Sequence, residues 1–261
     1  MSVEWAPTAM NSVTIVSPHH DDAALSLGCL IARHARTMSV NVVNCYTRSR
    51  FSPFRRLSST TEVSKARARE DRAFRKEVHG KYLRFIDLGE EDAPIRFHTS
   101  DLDWIARERP LDVTDLRHLY SLNRKLTQSV RGAVLLPTAV GHHIDHVMAF
   151  YAGLMLQRNL DALAFYLDVP YWLKVSIAEL QRSVAFLEGL LGSKLFLYAR
   201  TDVTDWDKRR LSAVYASQVE QEVANSIADA PFGGEVLVAS SGWVAAAELA
   251  CERVKWMDLR Q

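Results

Sequence analysis

Short apolar runs alternate with longer amphipathic segments along most of the chain, and this alternation constrains the fold most. The runs are β-branched or aromatic and mostly continuous, as in strands buried on both faces of a sheet. We therefore predict an α/β, Rossmann-like fold with a largely parallel sheet and helices on both faces. Predicted strands cover 13–16, 40–46, 82–88, 133–137 and 163–169, with weaker ones at 195–199 and 235–239, and predicted helices cover 23–36, 61–79, 115–131, 145–158, 174–190 and 205–226.

Length and composition exclude several classes of protein. The 261 residues contain no repeat or clear linker, so we predict a single domain over 1–261. A net charge of +1 gives no sign of a nucleic-acid surface. The three cysteines lack the short spacing of a disulfide framework or a thiolate metal site. Since we find neither a signal peptide nor an apolar run of the roughly 20 residues that span a bilayer, we expect a soluble, cytoplasmic protein.

Two clusters of histidine and aspartate follow two of the predicted strands. SPHHDDAALSLG (17–28) comes after the first strand, and GHHIDHVMAF (141–150) comes after the strand at 133–137. Unpaired charge is costly to bury, so a core strand gains nothing from these groups. Ligands of open α/β sheets bind beyond the carboxyl ends of the strands, so both clusters are expected at one site. For either cluster alone, a hydrated turn with a helix-capping aspartate is the alternative.

The residue types suit a catalytic zinc site, which takes three histidine or carboxylate ligands and leaves one position for water. His19 and Asp22 are three residues apart, close enough to reach one ion at a strand-to-helix turn. His146 of the second cluster is available as a third ligand. The same ligand types also accept iron or cobalt, so the chemistry predicts a divalent transition metal, with zinc first.

Metal-assisted hydrolysis also needs a base for the water proton and a group that stabilises the oxyanion. Asp21 stands beside the first two candidate ligands, and His143 stands beside the third, so they fill these two roles. Asp145 is placed to orient His143 and to keep it cationic. His20 is expected to point away from its neighbour His19, beside the site or into solvent.

These motifs resemble those of the LmbE-like family of zinc-dependent N-deacetylases, which includes the N-acetylglucosaminyl-phosphatidylinositol deacetylases. The first family motif is His-x-Asp-Asp, as at 19–22, and the second is His-x-Asp-His, as at 143–146. The resemblance implies hydrolysis of an N-acetyl group on an amino sugar or glycoconjugate. The roles that it implies are zinc binding for His19, Asp22 and His146, general base for Asp21, and stabilisation of the intermediate or protonation of the amine for His143, paired with Asp145.

The resemblance extends from about residue 13 to about residue 220 and adds candidate substrate-binding residues. ARARE (66–70) is similar to the family's Arg-x-x-Glu segment and brings Arg67 to the site. FYLDVPYW (165–172) resembles a strand end that borders the sugar site, which implies that Asp168 and Tyr171 line the pocket. The implied partner is a small N-acetylated sugar or glycoconjugate.

The sequence departs from the family pattern at three positions, one of which is His20, where Pro or another residue is common between the first-motif His and the first Asp. Ala23 stands where the first motif often continues with Glu, so a supporting carboxylate is absent or comes from Glu70. Gly141 stands where some relatives have a tyrosine that holds the oxyanion, which leaves more of that role to His143.

Two other functions remain open. The first is a metal-dependent amidase that acts on a non-sugar N-acyl metabolite, with the loop 47–61 as the segment that would decide its specificity. The second is a carbohydrate-binding relative without activity. The presence of Asp21 and His143 argues against a pure binding protein, because binding does not need a general base.

Overall fold

An eight-stranded mixed sheet forms the centre of the molecule in the computed structural model, which describes residues 12–156 and 163–259. The strands are β1 (Ser12–Ser17), β2 (Ser39–Arg48), β3 (Leu83–Glu91), β4 (Ala133–Pro137), β5 (Leu163–Tyr166), β6 (Phe196–Ala199), β7 (Val236–Ala239) and β8 (Glu252–Val254). Their order is β3-β2-β1-β4-β5-β7-β6-β8. β1 to β5 are parallel, and β7 pairs antiparallel with both β5 and β6. The predicted fold class is confirmed, and β8 is an additional strand.

Helices connect the strands and cover the sheet. Ser59 and Glu62 form a capping box that starts the second helix, and Gly192, with φ 63°, ends the seventh. Within the two described stretches of chain, no helix is long and apolar enough to cross a membrane. The helices are α1 (Asp22–His34), α2 (Thr60–Glu77), α3 (Ala93–Arg96), α4 (Leu102–Ile105), α5 (Val113–Ser129), α6 (Ile144–Leu154), α7 (Ile177–Leu191), α8 (Asp205–Ser212), α9 (Gln221–Asp229) and α10 (Ser241–Ala247).

The prediction of one helix over 205–226 is wrong, because α8 and α9 are separate. Between them, Glu70 of α2 accepts hydrogen bonds from the backbone N–H of Ser217 (2.8 Å) and from its hydroxyl (2.6 Å). This side-chain carboxylate takes a backbone donor that a continuous helix would use internally. Two residues of the predicted helix 145–158, 157 and 158, lie outside the described residues.

Two hydrophobic clusters lie on the two faces of the sheet. Successive residues of each strand point to opposite faces, so a strand covered on both sides needs a continuous apolar run. The parallel strands all end at one edge, where the loops after β1 and β4 meet. One cluster includes Val16, Val43, Leu136, Phe165 and Val238, and the other includes Ile15, Val42, Leu135, Tyr166 and Leu237.

Candidate metal centre

The two His/Asp clusters meet at the carboxyl ends of the neighbouring strands β1 and β4. His19 lies in the loop after β1, Asp22 is the first residue of α1, and His146 lies in the first turn of α6. Asp22 Oδ2 is 3.0 Å from His19 Nδ1 and 3.3 Å from His146 Nε2. All three side chains are buried, and each places one ligand atom within 4.8 Å of the others. The predicted juxtaposition of these three residues is present.

The donor set fits a divalent metal. Buried His146 Nε2 has no hydrogen-bond partner among the described residues, although such atoms are normally paired. Two imidazoles and one carboxylate, all buried, match the ligand types of a catalytic zinc site. The hydrated-turn alternative finds no support, because the side chain of Asp21, the residue that caps α1, makes no capping hydrogen bond.

Each candidate histidine ligand is held through its other ring nitrogen by a buried aspartate. Asp145 Oδ2 is 2.9 Å from His19 Nε2, and Asp168 Oδ1 is 2.7 Å from His146 Nδ1. Carboxylates in this position fix the tautomer and the ring orientation of metal-binding histidines. They are therefore the supporting carboxylates at this site, and Glu70, bound to Ser217, is not.

The expectation that Asp168 lines the substrate pocket is corrected by this geometry. Asp168 is fully buried, and Thr138 Oγ1 donates a second hydrogen bond to it at 2.6 Å. Its carboxylate is engaged between Thr138 and His146, so it positions the histidine and does not face a substrate.

The pairing expected between Asp145 and His143 is also corrected. The Asp145 carboxylate accepts hydrogen bonds from Ala93 N (2.8 Å) and Arg96, besides its contact with His19. His143 Nδ1 instead accepts from the backbone N–H of Asp145 at 3.2 Å, which leaves its proton on Nε2. Burial lowers the pKa of His143 to about 3, and the Asp145 charge offsets this only in part. This environment favours the neutral form of His143 over the cationic form that the sequence predicted.

The pKa values of the two candidate histidine ligands are raised, whereas that of His143 is lowered. Burial alone would lower the pKa of each, but Asp22 and the supporting carboxylates outweigh burial. They raise the pKa of His19 to about 9 and that of His146 to about 10. A metal ion would take the place of the protons that these rings otherwise hold.

Asp21 is held by Arg67, which was expected to bind substrate. Arg67 Nη2 is 2.5 Å from Asp21 Oδ1, and Nη1 donates to Ser49 Oγ at 3.2 Å. Arg67 is only 3% exposed. Because the guanidinium is buried behind Asp21, it positions this carboxylate, and we correct its assignment from substrate binding to positioning.

Tyr171 lies against the two histidines of the second cluster. Its ring centroid is 4.9 Å from that of His146 and 6.0 Å from that of His143. Burial raises the pKa of the Tyr171 phenol well above its usual range, so the hydroxyl keeps its proton. A Cβ at Gly141, whose φ is +86°, would lie only 2.8 Å from Tyr171 Cβ. The space beside Gly141 is therefore occupied by Tyr171, and its contact with a substrate stays a prediction.

Sequence reasoning missed Arg96, which pairs with the fully buried Asp145. It lies on the four-residue helix α3, just after the carboxyl end of β3. A search for charged side chains after every predicted strand, not only after two of them, would have identified it.

Fold and site together define an α/β protein with a candidate His/Asp metal centre at the carboxyl edge of its parallel strands. A model of the family "PIG-L: GlcNAc-PI de-N-acetylase" matches residues 14–156, just over half of the chain. The chain therefore belongs to the PIG-L family of de-N-acetylases, and the family resemblance seen in the motifs is confirmed.

Individual relatives agree with this family. The chain is 28% identical over 217 residues to a 2'-N-acetylparomamine deacetylase of Streptomyces fradiae. The matched region covers 80% of this chain and 74% of the relative. A deacetylase solved with teicoplanin has a TM-score of 0.61 at 18% identity, covering 88% of this chain and 98% of that one. The zinc-inhibited form of a teicoplanin deacetylase has a TM-score of 0.57 at 17% identity, covering 87% and 97%. These two solved structures share the fold with this chain.

Proposed function

We propose that this protein is a zinc-dependent hydrolase that removes an N-acetyl group from an amino sugar or glycoconjugate. The observation that carries the proposal is the buried trio His19, Asp22 and His146, with Asp21 directly beside it. Membership of a de-N-acetylase family and the deacetylase of an amino sugar among the relatives support the reaction and the substrate class. The cytoplasmic location stays a prediction.

His19, Asp22 and His146 would hold the metal. A bound divalent ion supplies Lewis-acid catalysis, which polarises the amide carbonyl and makes a water molecule more acidic. Iron or cobalt could replace zinc with the same ligands. Asp145 and Asp168 hold the two imidazoles in the orientation that presents one nitrogen of each to the ion.

Asp21 acts as the general base. Its Oδ1 is bound to Arg67, so the carboxylate is fixed in place while Oδ2 is available for the proton of the attacking water. The same carboxyl group then returns this proton to the leaving amine. Because Arg67 is buried and paired with Asp21, the base stays oriented between these two proton transfers.

His143 stabilises the oxyanion as a neutral donor. Its Nδ1 accepts the Asp145 backbone N–H, so its Nε2–H is free to donate to the oxygen of the former carbonyl group. Tyr171, with its protonated hydroxyl, lies beside His143 and lines the substrate pocket in this proposal.

The test is release of free amine from N-acetylated amino sugars by the wild type and by Asp21→Asn, with metal content measured on both. We expect Asp21→Asn to lower kcat by about 10²–10⁴-fold and to keep its metal, since its side chain is a base and not a ligand. Asp103→Asn, an exposed change on α4, is the control with wild-type activity. Full activity of Asp21→Asn, or loss of its metal, would contradict the assigned role. Hydrolysis of only non-sugar N-acyl compounds would favour the amidase.

A further inference from the structure

A second polar cluster lies directly behind the metal centre. His20 follows β1, Asp71 belongs to α2, and Asp87 belongs to β3. His20 Nε2 is 3.6 Å from Asp87 Oδ1 and 4.0 Å from Asp71 Oδ2. The three side chains offer ligand atoms that all lie within 4.8 Å of one another. None of these residues belongs to the His19, Asp22 and His146 trio.

His20 is buried without a partner. It is 1% exposed, and neither of its ring nitrogens makes a hydrogen bond with any residue that the structure describes. Its separations from the two carboxylates are too long for hydrogen bonds. Two ligand atoms on one ion with bonds of about 2.1 Å lie about 3.0–3.5 Å apart, so the 3.6 Å separation from Asp87 is close to this range and the 4.0 Å separation from Asp71 is somewhat longer. The ring is therefore spaced from the carboxylates as a ligand would be.

The two carboxylates lack a neutralising cation. Within residues 12–156 and 163–259, neither Asp71 nor Asp87 forms an ion pair with a lysine or arginine. Both accept from Asn44 Nδ2, at 2.7 Å for Asp71 Oδ2 and 3.0 Å for Asp87 Oδ1, and Asp71 Oδ1 accepts from Tyr215. Asp71 is 3% exposed, and a buried carboxylate that is hydrogen-bonded but has no cation beside it is still costly to ionise.

Asn44 holds the two carboxylates side by side through its amide nitrogen. Its Oδ1 is buried and finds no hydrogen-bond partner among the described residues. The cluster presents one imidazole nitrogen and two carboxylate oxygens within 4.8 Å of one another, and zinc and manganese accept these ligand types.

We propose that His20, Asp71 and Asp87 form a second divalent metal site, distinct from the centre at His19, Asp22 and His146. The Asp87 side chain is 46% exposed, which gives an ion a path from solvent. Bound there, the ion ties the loop after β1 to α2 and β3. Since His20 lies between His19 and Asp21, the second ion steadies the loop that carries a ligand of the first metal and the base.

Zinc binding per chain tests this proposal. After equilibrium dialysis at low micromolar free zinc, we expect two ions on the wild type and one on Asp87→Asn. His146→Ala should also hold one ion, and the double variant Asp87→Asn/His146→Ala should hold none. Asp87 is half exposed, so its change to Asn leaves the fold intact, and Asp103→Asn, on the exposed surface of α4, is the control with two ions.

The melting temperature of His146→Ala gives a second measurement at the same site. Zinc should raise this temperature through the second ion, and the increase should vanish in the double variant. One zinc on the wild type that is lost in His146→Ala, or two ions on Asp87→Asn, would overturn the proposal. A third outcome is a single zinc on the wild type that is kept by His146→Ala and lost by Asp87→Asn. It would support the second site and contradict the proposed hydrolase, which requires a metal at His19, Asp22 and His146.

Discussion

At the scale of single residues, Asp145 and Asp168 decide how well the imidazoles of His19 and His146 can serve as ligands. Both carboxylates are fully buried, so neither can exchange its histidine for water. A histidine that donates to a carboxylate becomes a more basic ligand on its other nitrogen and cannot rotate. Loss of either supporting carboxylate should therefore weaken metal binding, although neither carboxylate is itself a proposed ligand.

The change Asp168→Asn tests this at one histidine. The amide keeps the size of the side chain and removes its charge, so we expect metal affinity to fall by about 10–100-fold. The measurement is zinc competition with a chromophoric chelator. It is made in an Asp87→Asn background, where the proposed second site is removed and Asp87→Asn alone is the control. Equal affinities of the two proteins would show that Asp168 only fills space.

His34, in the last turn of α1, gives a pH-dependent contribution to stability. Its Nε2 accepts the backbone N–H of Ala250 at 3.2 Å, which requires a neutral ring. Burial, with smaller contributions from Arg200 and Arg33, lowers the pKa of His34 to about 4. Between that value and the ordinary pKa of about 6.5, the unfolded chain binds the proton and the folded chain does not. The free energy of unfolding therefore decreases as the pH falls through this window.

Urea unfolding at pH 7 and pH 4.5 measures this effect. We expect the wild type to lose about 2–3 kcal/mol more than His34→Gln between the two pH values, because glutamine does not titrate. Comparing how the free energy of unfolding changes with pH in the two proteins cancels any pH-independent loss of stability that the substitution causes. Parallel pH dependences of the two proteins would show that His34 is not the group responsible.

At the scale of elements, a remote ion pair stabilises α1, the helix that starts with Asp22. Leu27 breaks the helical geometry with φ −142°, and the Glu235 carboxylate accepts the N–H groups of Cys29 and Leu30 at 2.7 and 2.9 Å. Lys208 Nζ binds the same carboxylate at 2.7 Å, and both partners are buried. Glu235 therefore fixes the second half of α1 from the loop before β7.

Glu235→Gln should lower the free energy of unfolding by about 3–5 kcal/mol, since it leaves the Lys208 charge buried without a partner. The double variant Lys208→Met/Glu235→Gln removes that charge and should recover part of the loss. Both values come from urea unfolding at neutral pH. A double variant no more stable than Glu235→Gln would show that the backbone contacts of Glu235, and not the ion pair, stabilise α1.

The sequence predicts elements and sites where the signal is local. Strands β1, β2 and β4 to β7 are largely buried apolar runs, and the metal trio lies in two short motifs. β3 is a half-exposed edge strand that keeps enough apolar residues for the pattern to be detected. β8 is a three-residue edge strand with mostly exposed side chains, defined by pairing with β6, so it has no apolar pattern to detect. The contacts of Arg67 with Asp21 and of Asp168 with His146 could not be predicted. A motif places a side chain near the site, but it does not determine whether that side chain contacts a neighbouring residue or the substrate.

At the scale of the whole molecule, the sheet has two parts, the parallel strands β1 to β5 and the antiparallel strands β6 to β8, which meet where β5 pairs with β7. β5 and β7 pair through only two residue pairs, Phe165 with Val238 and Tyr166 with Leu237. The family model ends at residue 156, before this junction. However, each hydrophobic cluster includes residues from both parts. Side-chain packing thus joins the two parts more extensively than their strand pairing does.

We therefore expect the chain to unfold as the single domain predicted from its sequence. Calorimetry of the metal-free protein should give one transition, with a calorimetric enthalpy equal to the van't Hoff enthalpy. Val238→Ala, in the core beside the junction, should lower the free energy of unfolding by about 1–3 kcal/mol and should move this single transition as a whole. Two resolved transitions, with only the lower one moved by Val238→Ala, would instead identify β6 to β8 as a separate unit. The shared core makes the first result the expected one, because exposing either part would also expose the apolar residues that the other part covers.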